Sequence, residues 1–364
     1  MGADQRPSAA SAPFGRAPDG TPVERVTLVS PSGLTVVLLS WGATLAQVLV
    51  PTPGGVPANV TLGCDDLAGY IGAHPHLGGT IGRYANRIAG ARFVLHGRVH
   101  HLSVNERPNH LHGGALGFDR RAWRTQSFEA PGEAGVVFRL TSEAGDQGYP
   151  GRLEAEARFT LAADDTLRVE LSATTDAATV VSFTQHAYWN LADGGASSVL
   201  DHELEIAASA YLPVDRERIP TGEIAPVAGT AFDFRSPRTL RAALRDAPQG
   251  LDHNLVLAGG GALAFAARLR DPASGRALEL ATTAPGLQLY AGGGLDGSCR
   301  GRGGVRYARH AGVCLEPQRF PDAPNQARFP SAVLEPGARY LERCVYRFST
   351  GEPGRGPGKR AQKE

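Results

Sequence analysis

Short apolar stretches separated by glycine, proline and polar residues recur along most of the chain. Several alternate with period two, as in Val136–Leu140 and Leu167–Leu171, which is typical of strands with one buried face. The strands predicted from this pattern are Glu24–Val29, Leu34–Leu39, Thr44–Val50, Asn59–Leu62, Arg92–Leu95, Ala122–Phe128, Val136–Thr141, Leu153–Leu161, Leu167–Ala173, Thr179–Thr184, His202–Ala207, Ala264–Arg270, Leu278–Thr283, Leu287–Ala291, Val313–Glu316 and Tyr340–Phe348.

Helical periodicity is found in one stretch, Ser236–Ala247, where Leu240, Ala243 and Leu244 share a face. Asp65–Ile71 is predicted to add a single helical turn. Because strands are many, helices are few and the two do not alternate, the sequence predicts an all-β fold. We expect a large antiparallel β-sandwich with few short helices.

The composition of the two ends predicts three segments within the 364 residues. Residues 1–20 are rich in Ala, Pro, Ser and Gly and are expected to form a flexible leader. Residues 351–364 are rich in Gly and charged residues and are expected to form a disordered tail. The remaining residues, 21–350, are predicted to form one domain, because large all-β folds often exceed about 200 residues.

The net charge and the lengths of the apolar runs indicate which binding partners and which cellular location to expect for the protein. The net charge is +1, so bulk electrostatics favours neither nucleic acid nor an acidic membrane. The first 20 residues lack the apolar core of a signal peptide, and no apolar run is long enough to span a membrane. We therefore expect a cytoplasmic protein with neither nucleic-acid nor membrane partners, and a monomer or a weak dimer.

The placement of lysine and cysteine excludes several chemistries. Lys359 and Lys363 are the only lysines and both lie in the tail, which argues against Schiff-base, pyridoxal phosphate and P-loop chemistry. The four cysteines form no C-x-x-C pair, which argues against a zinc knuckle. A disulfide framework is not expected in a chain of this length.

Candidate chemistry is concentrated where polar residues follow apolar runs beside glycine, since strand ends present functional side chains. His186 stands beside two aromatic residues, Tyr188 and Trp189, a setting suited to an imidazole next to a sugar ring. Glu316 ends an apolar run, so we expect its carboxylate to be desolvated and its pKa to be raised towards that of a general base. Each could instead be structural, a packed histidine or a salt-bridged glutamate.

A second histidine-rich stretch, His74-Pro75-His76, could indicate a metal site together with His96, His100 and His101. Pro75 argues against a regular paired strand there. Surface or supporting histidines are the favoured interpretation, and we predict no metal.

Several segments together resemble the galactose mutarotase (aldose 1-epimerase) family, over roughly residues 24–348. They are GRYANRI at 82–88, HLHGG at 110–114, GYPG at 148–151, TQHAYWNLAD at 184–193, LDHN at 251–254, PGLQLYAGG at 285–293 and CLEPQRFPDAPNQARFPS at 314–331. Residues 291–294 (Ala-Gly-Gly-Gly) depart from the family pattern, so we expect side-chain contacts from that loop to be absent.

The resemblance implies an isomerase that interconverts the anomers of free hexoses such as D-galactose and D-glucose. Glu316 would be the general base that takes the anomeric proton, and His186 the general acid that protonates the ring oxygen. No metal and no cofactor would take part, and the one small-molecule partner would be the monosaccharide. The residues that match substrate-binding positions of the family are Asn86, Arg87, His112, Asp252 and Gln288.

Three other interpretations stay open. An epimerase for hexose 6-phosphates would need additional arginines around the phosphate. A non-catalytic sugar-binding module would lack the acid or the base, whereas His186 and Glu316 are both present. A metal-dependent β-barrel enzyme would need the histidines to converge on one site.

Overall fold

The computed structural model describes residues 6–72, 75–259 and 261–351. Two α-helices lie within these ranges, α1 (Leu67–Ile71) and α2 (Leu240–Asp246). The strands are β1 Ser8–Arg16, β2 Pro22–Val29, β3 Thr35–Leu39, β4 Thr44–Val50, β5 Ala58–Asn59, β6 Thr80–Ile81, β7 Arg87–Ile88, β8 Arg92–Leu95, β9 Arg98–His101, β10 His110–Leu111, β11 Arg124–Ala130, β12 Glu133–Ser142, β13 Leu153–Ala162, β14 Thr166–Thr175, β15 Thr179–Val180, β16 Thr184–Gln185, β17 Tyr188–Trp189, β18 Glu203–Ile206, β19 Ala208–Tyr211, β20 Ala225–Pro226, β21 Arg238–Thr239, β22 Asp252–Leu257, β23 Ala264–Arg270, β24 Arg276–Thr282, β25 Gly286–Tyr290, β26 Val313–Gln318, β27 Val333–Leu334 and β28 Tyr340–Thr350.

Three antiparallel sheets hold most of these strands. A nine-stranded sheet has the order β11-β12-β13-β14-β28-β24-β23-β18-β21, a six-stranded sheet the order β17-β26-β25-β22-β19-β20, and a five-stranded sheet the order β1-β2-β3-β4-β5. Two-stranded ladders join β10 to β7, β15 to β27, β16 to β6 and β8 to β9. The predicted all-β fold is thus confirmed for the described residues.

The hydrophobic core lies between the nine-stranded sheet and the other two. Along β13 the buried side chains Leu153, Ala155, Ala157 and Phe159 alternate with partly exposed ones, as period two requires. The largest hydrophobic cluster takes residues from all three sheets, so each sheet buries one face against another. The fold is therefore the large antiparallel β-sandwich that the sequence predicts.

The predicted flexible leader is wrong for Ser8–Arg16, which form the edge strand β1. This strand pairs with β2 over almost its whole length, from Ser8 opposite Val29 to Arg16 opposite Pro22. Its side chains are mostly exposed, although Ala9 and Phe14 pack against the hydrophobic clusters, and the strand is paired to β2 through its main chain. A strand of this kind leaves no hydrophobic alternation in the sequence. Of the predicted tail, residues 352–364 lie outside the described residues.

Other boundaries differ from the sequence prediction for local reasons. The predicted stretch Thr179–Thr184 is two short strands, β15 and β16, which pair with different partners. Helix α2 begins later than predicted, because the Thr239 hydroxyl caps it by accepting a hydrogen bond from the Ala242 N–H. None of the helices in the described residues is both long and apolar enough to cross a membrane.

Candidate active site

The alternation of side chains along β26 separates the core from a polar face. Val313 and Leu315 point into the hydrophobic core, whereas Cys314, Glu316 and Gln318 point to the opposite side of the strand. All five are buried, so the polar face is covered by other parts of the molecule. The apolar run before Glu316 in the sequence is thus one strand with two different buried faces.

Cross-strand pairing aligns polar residues of β26, β25 and β22 on this face. Glu316 lies opposite Gln288, and Gln288 lies opposite Asn254. One step along the strands, Cys314 lies opposite Tyr290 and Tyr290 opposite Asp252. Directly opposed residues in a sheet share a face. Three strands from separate parts of the sequence therefore build one polar surface.

A cavity of about 200 Å³ lies over this surface. Six of the seven predicted site residues line it: Glu316, His186, Asn86, Arg87, His112 and Asp252. The seventh, Gln288, lies behind the lining and donates a hydrogen bond from Nε2 to Asp252 Oδ1 over 2.7 Å. The other lining residues are Pro75, His76, Glu106, Leu111, Tyr188, Arg218 and Tyr290.

Glu316 and His186 face each other at the buried end of the cavity. Their side chains are 2% and 5% exposed, and 3.6 Å separates Glu316 Oε2 from His186 Nε2. This distance is too long for a hydrogen bond, so both atoms can reach a third group placed beside them. Burial raises the pKa of Glu316 well above its usual value; Asp252 adds to the rise and Arg87 opposes it. The desolvation expected from the sequence is therefore present.

The backbone around His186 is tied to the turn that precedes β6. The His186 N–H donates to Gly79 O over 2.9 Å, and His186 O accepts from the Gly78 N–H over 3.0 Å. On the ring, Nδ1 lies 3.6 Å from Cys314 Sγ. These contacts fix the position of the imidazole relative to β26.

The two aromatic residues after His186 point in opposite directions. Tyr188 lines the cavity, with its ring centroid 5.2 Å from that of His186. Trp189 is fully buried in the core and packs on Tyr346 and Phe348. Of the two rings, Tyr188 is therefore the one that a ligand in the cavity could contact.

Arg87 is held rigidly at the cavity wall. Its Nε and Nη2 donate to the two carboxylate oxygens of Glu106, each over 2.6 Å. Such a bidentate pair fixes both the position and the plane of the guanidinium. Asn86 adopts a left-handed backbone conformation, with φ of 65°, and its side-chain oxygen accepts from the Arg87 N–H.

His112 is a neutral hydrogen-bond donor. Its Nδ1 lies 3.1 Å from the backbone N of Asn86, whose N–H must be the donor. The remaining proton of the neutral ring is then on Nε2. Burial lowers the pKa of His112 well below its usual value, and the neighbouring His76 and His186 lower it further. The imidazole therefore presents an N–H at the cavity near neutral pH.

Asp252 receives hydrogen bonds on both carboxylate oxygens. Gln288 donates to Oδ1, and Arg218 Nη1 donates to Oδ2, in each case over 2.7 Å. Arg218 and Glu106 were not predicted as site residues. Both occur in loops without a recognisable motif, and their role becomes visible only through their partners Asp252 and Arg87.

Other residues of the recognised segments are structural. The buried Arg83 donates all five of its N–H groups, to Ser142 Oγ and to the carbonyl oxygens of Ser142, Glu143, Pro150 and Gly151. Burial lowers its pKa to about 10. These bonds connect the segment 82–88 to the segment 148–151.

Three groups of the site could together ligate a metal ion. Donor atoms of His186, Cys314 and Glu316 all lie within 4.8 Å of one another. Burial raises the pKa values of both Cys314 and Glu316, so the proton loss that metal binding requires is more costly for each of them. The histidines that could have formed a metal site together have separate contacts instead. His96 pairs with Glu335 and His100 stacks on Phe93, whereas His74 lies outside the described residues.

Comparison with known families gives a match over most of the chain. The family model described as Aldose 1-epimerase matches residues 24–347. The chain belongs to the aldose 1-epimerase family. The resemblance found in the sequence is thereby confirmed, and the matched region includes every residue that lines the cavity.

Individual relatives support membership of the aldose 1-epimerase family over most of the chain. A galactose mutarotase from Mus musculus is 44% identical over 338 residues, covering 92% of this chain and 97% of its own length. An aldose 1-epimerase from Escherichia coli is 39% identical over 340 residues, covering 91% and 97%. The prediction of an enzyme of this class is confirmed.

Solved structures share the fold of this aldose 1-epimerase family member. A homologue from C. elegans, described as an aldose epimerase homologue, superposes with a TM-score of 0.83 at 33% identity and covers 94% of this chain and 99% of its own. A galactose 1-epimerase from Lactobacillus acidophilus also has a TM-score of 0.83, at 30% identity, and covers 95% and 99%.

Proposed function

We propose that this enzyme interconverts the α and β anomers of free hexoses such as D-galactose and D-glucose, with Glu316 as the base and His186 as the acid. The observation that carries the proposal is the 3.6 Å separation of Glu316 Oε2 and His186 Nε2 in a buried cavity. Membership of the aldose 1-epimerase family supports the same reaction.

The chemistry of anomer exchange explains why the two groups must be close. The anomeric hydroxyl and the ring oxygen are attached to the same carbon, C1. Glu316 removes the proton of the hydroxyl while His186 protonates the ring oxygen, so that the C1–O5 bond breaks and an open-chain aldehyde forms. Rotation about C1–C2 and reclosure, with the two proton transfers reversed, give the other anomer. Each well-placed proton-transfer group contributes about 10²–10⁴-fold to the rate.

The polar wall of the cavity suits a polyhydroxylated ring. Sugar hydroxyls need donors and acceptors in fixed directions, and the wall offers the Arg87 guanidinium, the His112 Nε2–H and the Asp252 carboxylate. Each is held by a partner: Glu106 for Arg87, Asn86 for His112 and Gln288 for Asp252. Because these groups are already ordered, less entropy is lost when the sugar is positioned for reaction.

The charge of the cavity favours a free sugar over a sugar phosphate. The arginines that line it, Arg87 and Arg218, are both engaged by carboxylates, Glu106 and Asp252. A phosphate at either position would have to displace a carboxylate or lie beside it, which is electrostatically unfavourable. Names of relatives, galactose mutarotase and galactose 1-epimerase, also point to galactose among the free hexoses.

Proton transfer between Glu316, the sugar and His186 needs no cofactor, and we propose that none is used. The loop 291–304, all of which the structure describes, contributes no residue to the cavity lining, so sugar preference depends on the other walls. We further propose a cytoplasmic monomer or weak dimer. All four cysteines are unpaired, as is usual in a reducing compartment.

Polarimetry of freshly dissolved α-D-galactose and α-D-glucose tests the proposal. We expect the purified protein to speed the decay of rotation to the same final value that is reached without it. The two hexose 6-phosphates serve as the comparison and should be accelerated far less. Acceleration of the phosphates alone would replace the free-sugar assignment, and no acceleration of any sugar by folded protein would contradict the enzymatic one.

A further inference from the structure

Glu106 is a carboxylate of the cavity lining that matches none of the predicted sugar-binding positions. Its Oε2 and Oε1 accept hydrogen bonds from Nε and Nη2 of Arg87, each over 2.6 Å. The Arg87 side chain is 6% exposed and that of Glu106 is 37% exposed, so the positive charge is the more deeply buried of the two. A buried charge needs a partner of opposite sign, and Glu106 supplies it. The guanidinium in the cavity wall therefore belongs to a neutral pair.

The loop that carries Glu106 is held in place by hydrogen bonds. The Glu106 N–H donates to Asn109 O over 3.2 Å, and the Asn109 N–H donates to Glu106 O over 2.6 Å. Asn109 is buried, and its Oδ1 accepts from the Gly90 N–H over 2.9 Å. Two residues further along, Leu111 of β10 lies directly opposite Arg87 of β7. The pairing of Glu106 with Arg87 is therefore built into two neighbouring elements of the fold.

The bidentate pair leaves one nitrogen of the Arg87 guanidinium for a ligand. Nε and Nη2 are bonded to Glu106, and Nη1 forms no hydrogen bond within the part of the chain that the structure describes. Because Arg87 lines the cavity, Nη1 can donate to a sugar hydroxyl. An anionic group at the same place would lie close to the Glu106 carboxylate and would be repelled by it. The pair thus provides a donor without providing net positive charge.

The other charged side chains of the lining do not supply a free positive charge. Arg218 Nη1 donates to Oδ2 of Asp252 over 2.7 Å, which is a second arginine–carboxylate pair. Both pairs and Glu316 belong to the same cavity lining. Without the charge of Glu106, the buried Arg87 would be the one arginine of the lining that has no carboxylate of its own.

We infer that Glu106, by neutralising Arg87, makes the enzyme selective for uncharged sugars and that loss of its charge would admit sugar acids such as D-galacturonate. This inference rests on the proposed mutarotase function and deepens it, because it names the residue that sets the substrate class. A hexuronate has the ring and the anomeric hydroxyl of its parent hexose, but a carboxylate replaces the hydroxymethyl group. The reaction at C1 is therefore the same, and Glu106 takes no part in the proton transfers.

Coulomb's law gives the size of the expected effect. Two unit charges about 10 Å apart change an equilibrium constant by about tenfold at the effective permittivity of about 20 that describes protein sites. A sugar in a cavity of about 200 Å³ lies within this distance of Glu106. Since the repulsion acts on the bound substrate and on the transition state alike, most of the change should appear in KM.

Two substitutions separate the charge of Glu106 from its shape. Glu106→Gln keeps the shape and an acceptor oxygen for Arg87 but removes the charge. Glu106→Asp keeps the charge and shortens the side chain by one methylene group. Glu170→Gln is the control, because Glu170 also pairs with an arginine, Arg343, at a similar exposure of 39% but lies outside the cavity.

The experiment measures kcat and KM by polarimetry on D-galactose and D-galacturonate, and the quantity compared is the ratio of kcat/KM for galacturonate to that for galactose. We expect this ratio to be well below one in the wild type and to rise about tenfold in Glu106→Gln, mainly through a lower KM for galacturonate. Glu106→Asp and Glu170→Gln should keep the wild-type ratio. An unchanged ratio in Glu106→Gln, an equal rise in Glu106→Asp, or equal use of both sugars by the wild type would overturn the inference.

A measurement on the wild type alone covers the case in which Glu106→Gln does not fold or is inactive. Salt screens charges, with a Debye length of about 10 Å at 0.1 M, so the galacturonate-to-galactose ratio should rise as sodium chloride is added. A ratio independent of salt would contradict electrostatic exclusion. The wild type also keeps the two proposals separate. No activity on D-galactose would reject the function, whereas an active wild type whose selectivity does not respond to charge would reject only this inference.

Discussion

Glu316 must lose a proton in an environment that favours the protonated form. The pKa of its carboxyl is raised by burial, and Oε2 has no hydrogen-bond partner among the described residues. A carboxylate of this kind is a stronger base than an exposed one, which suits it to the anomeric proton. The same burial makes the ionised form costly for folding.

We therefore predict that Glu316→Gln increases the stability of the folded protein at neutral pH. A raised pKa in the folded state means that the folded protein binds this proton more tightly than the unfolded chain. The stability that Glu316 contributes is thus complete at low pH and is lost as the pH rises from the usual glutamate value of 4.5 through the raised value. Glutamine does not titrate and avoids this loss.

Thermal unfolding at pH 4 and at pH 8 provides the measurement. The melting temperature of Glu316→Gln should exceed that of the wild type at pH 8, and the difference should shrink at pH 4. Glu170→Gln is the matched control, because Glu170 is 39% exposed in a pair with Arg343 and should change stability little. A variant less stable than the wild type at pH 8 would show that the carboxylate is better solvated than its burial indicates.

Among the secondary-structure elements, the site depends on short segments whose backbones are in direct contact, with no side chain between them. Gly113, in the segment 110–114, adopts a φ of 80°, and a Cβ there would lie 1.8 Å from Gly82 O. Gly82 begins the segment 82–88. The two segments that carry His112 and Arg87 are therefore packed against each other without side chains between them.

We predict that Gly113→Ala lowers the free energy of unfolding by about 3 kcal/mol or more. Gly97, in the turn between β8 and β9, is the control: its φ is 74°, and a Cβ there would meet nothing within 4 Å. Gly97→Ala should cost only the conformational strain, about 1 kcal/mol. Urea unfolding of both variants gives the two free energies of unfolding, and their difference measures the cost of the steric clash at Gly113. Equal decreases in the two variants would mean that the two segments can separate at little cost.

Strands with a clear apolar face could be predicted from the sequence, and others could not. The bounds of Thr44–Val50, Arg92–Leu95 and Ala264–Arg270 agree with the prediction, because alternation and flanking turns determine them. Strand β22 begins with Asp252-His253-Asn254, whose polarity conceals a strand that turns one face to the cavity. Polar residues of this kind obscure the alternation at the site itself.

The seven predicted site residues came from the family resemblance, and six of them line one cavity. Two residues, Glu316 and His186, could also be recognised as candidates from their neighbours in the sequence. Glu106 and Arg218 could not, because their bonds to Arg87 and Asp252 arise from tertiary contacts between separate segments. The local amino-acid pattern cannot predict side-chain contacts that form only when the chain folds.

At the scale of the whole molecule, the N-terminal strand completes one sheet of the sandwich. β1 forms the edge of the five-stranded sheet, and none of its residues lines the cavity. Removing it would expose the backbone hydrogen-bonding groups of β2, which then becomes an unprotected edge. We therefore expect Ser8–Arg16 to stabilise the fold, in contrast to the flexible leader predicted from composition.

Deletion of residues 1–18 should lower the melting temperature by at least about 4 °C and increase aggregation on heating. Deletion of residues 1–6, which ends before β1, is the control and should leave the melting temperature unchanged. Differential scanning calorimetry with light scattering measures both quantities. Equal melting temperatures for the two deletions would mean that β1 contributes little to the sandwich.

Polarimetry of α-D-galactose with Glu316→Gln tests whether Glu316 is the base of anomer exchange. The amide has nearly the same shape but cannot accept the anomeric proton, so the enzyme-dependent decay should fall at least about 10²-fold while galactose still binds. Decay at close to the wild-type rate would show that Glu316 is not the base.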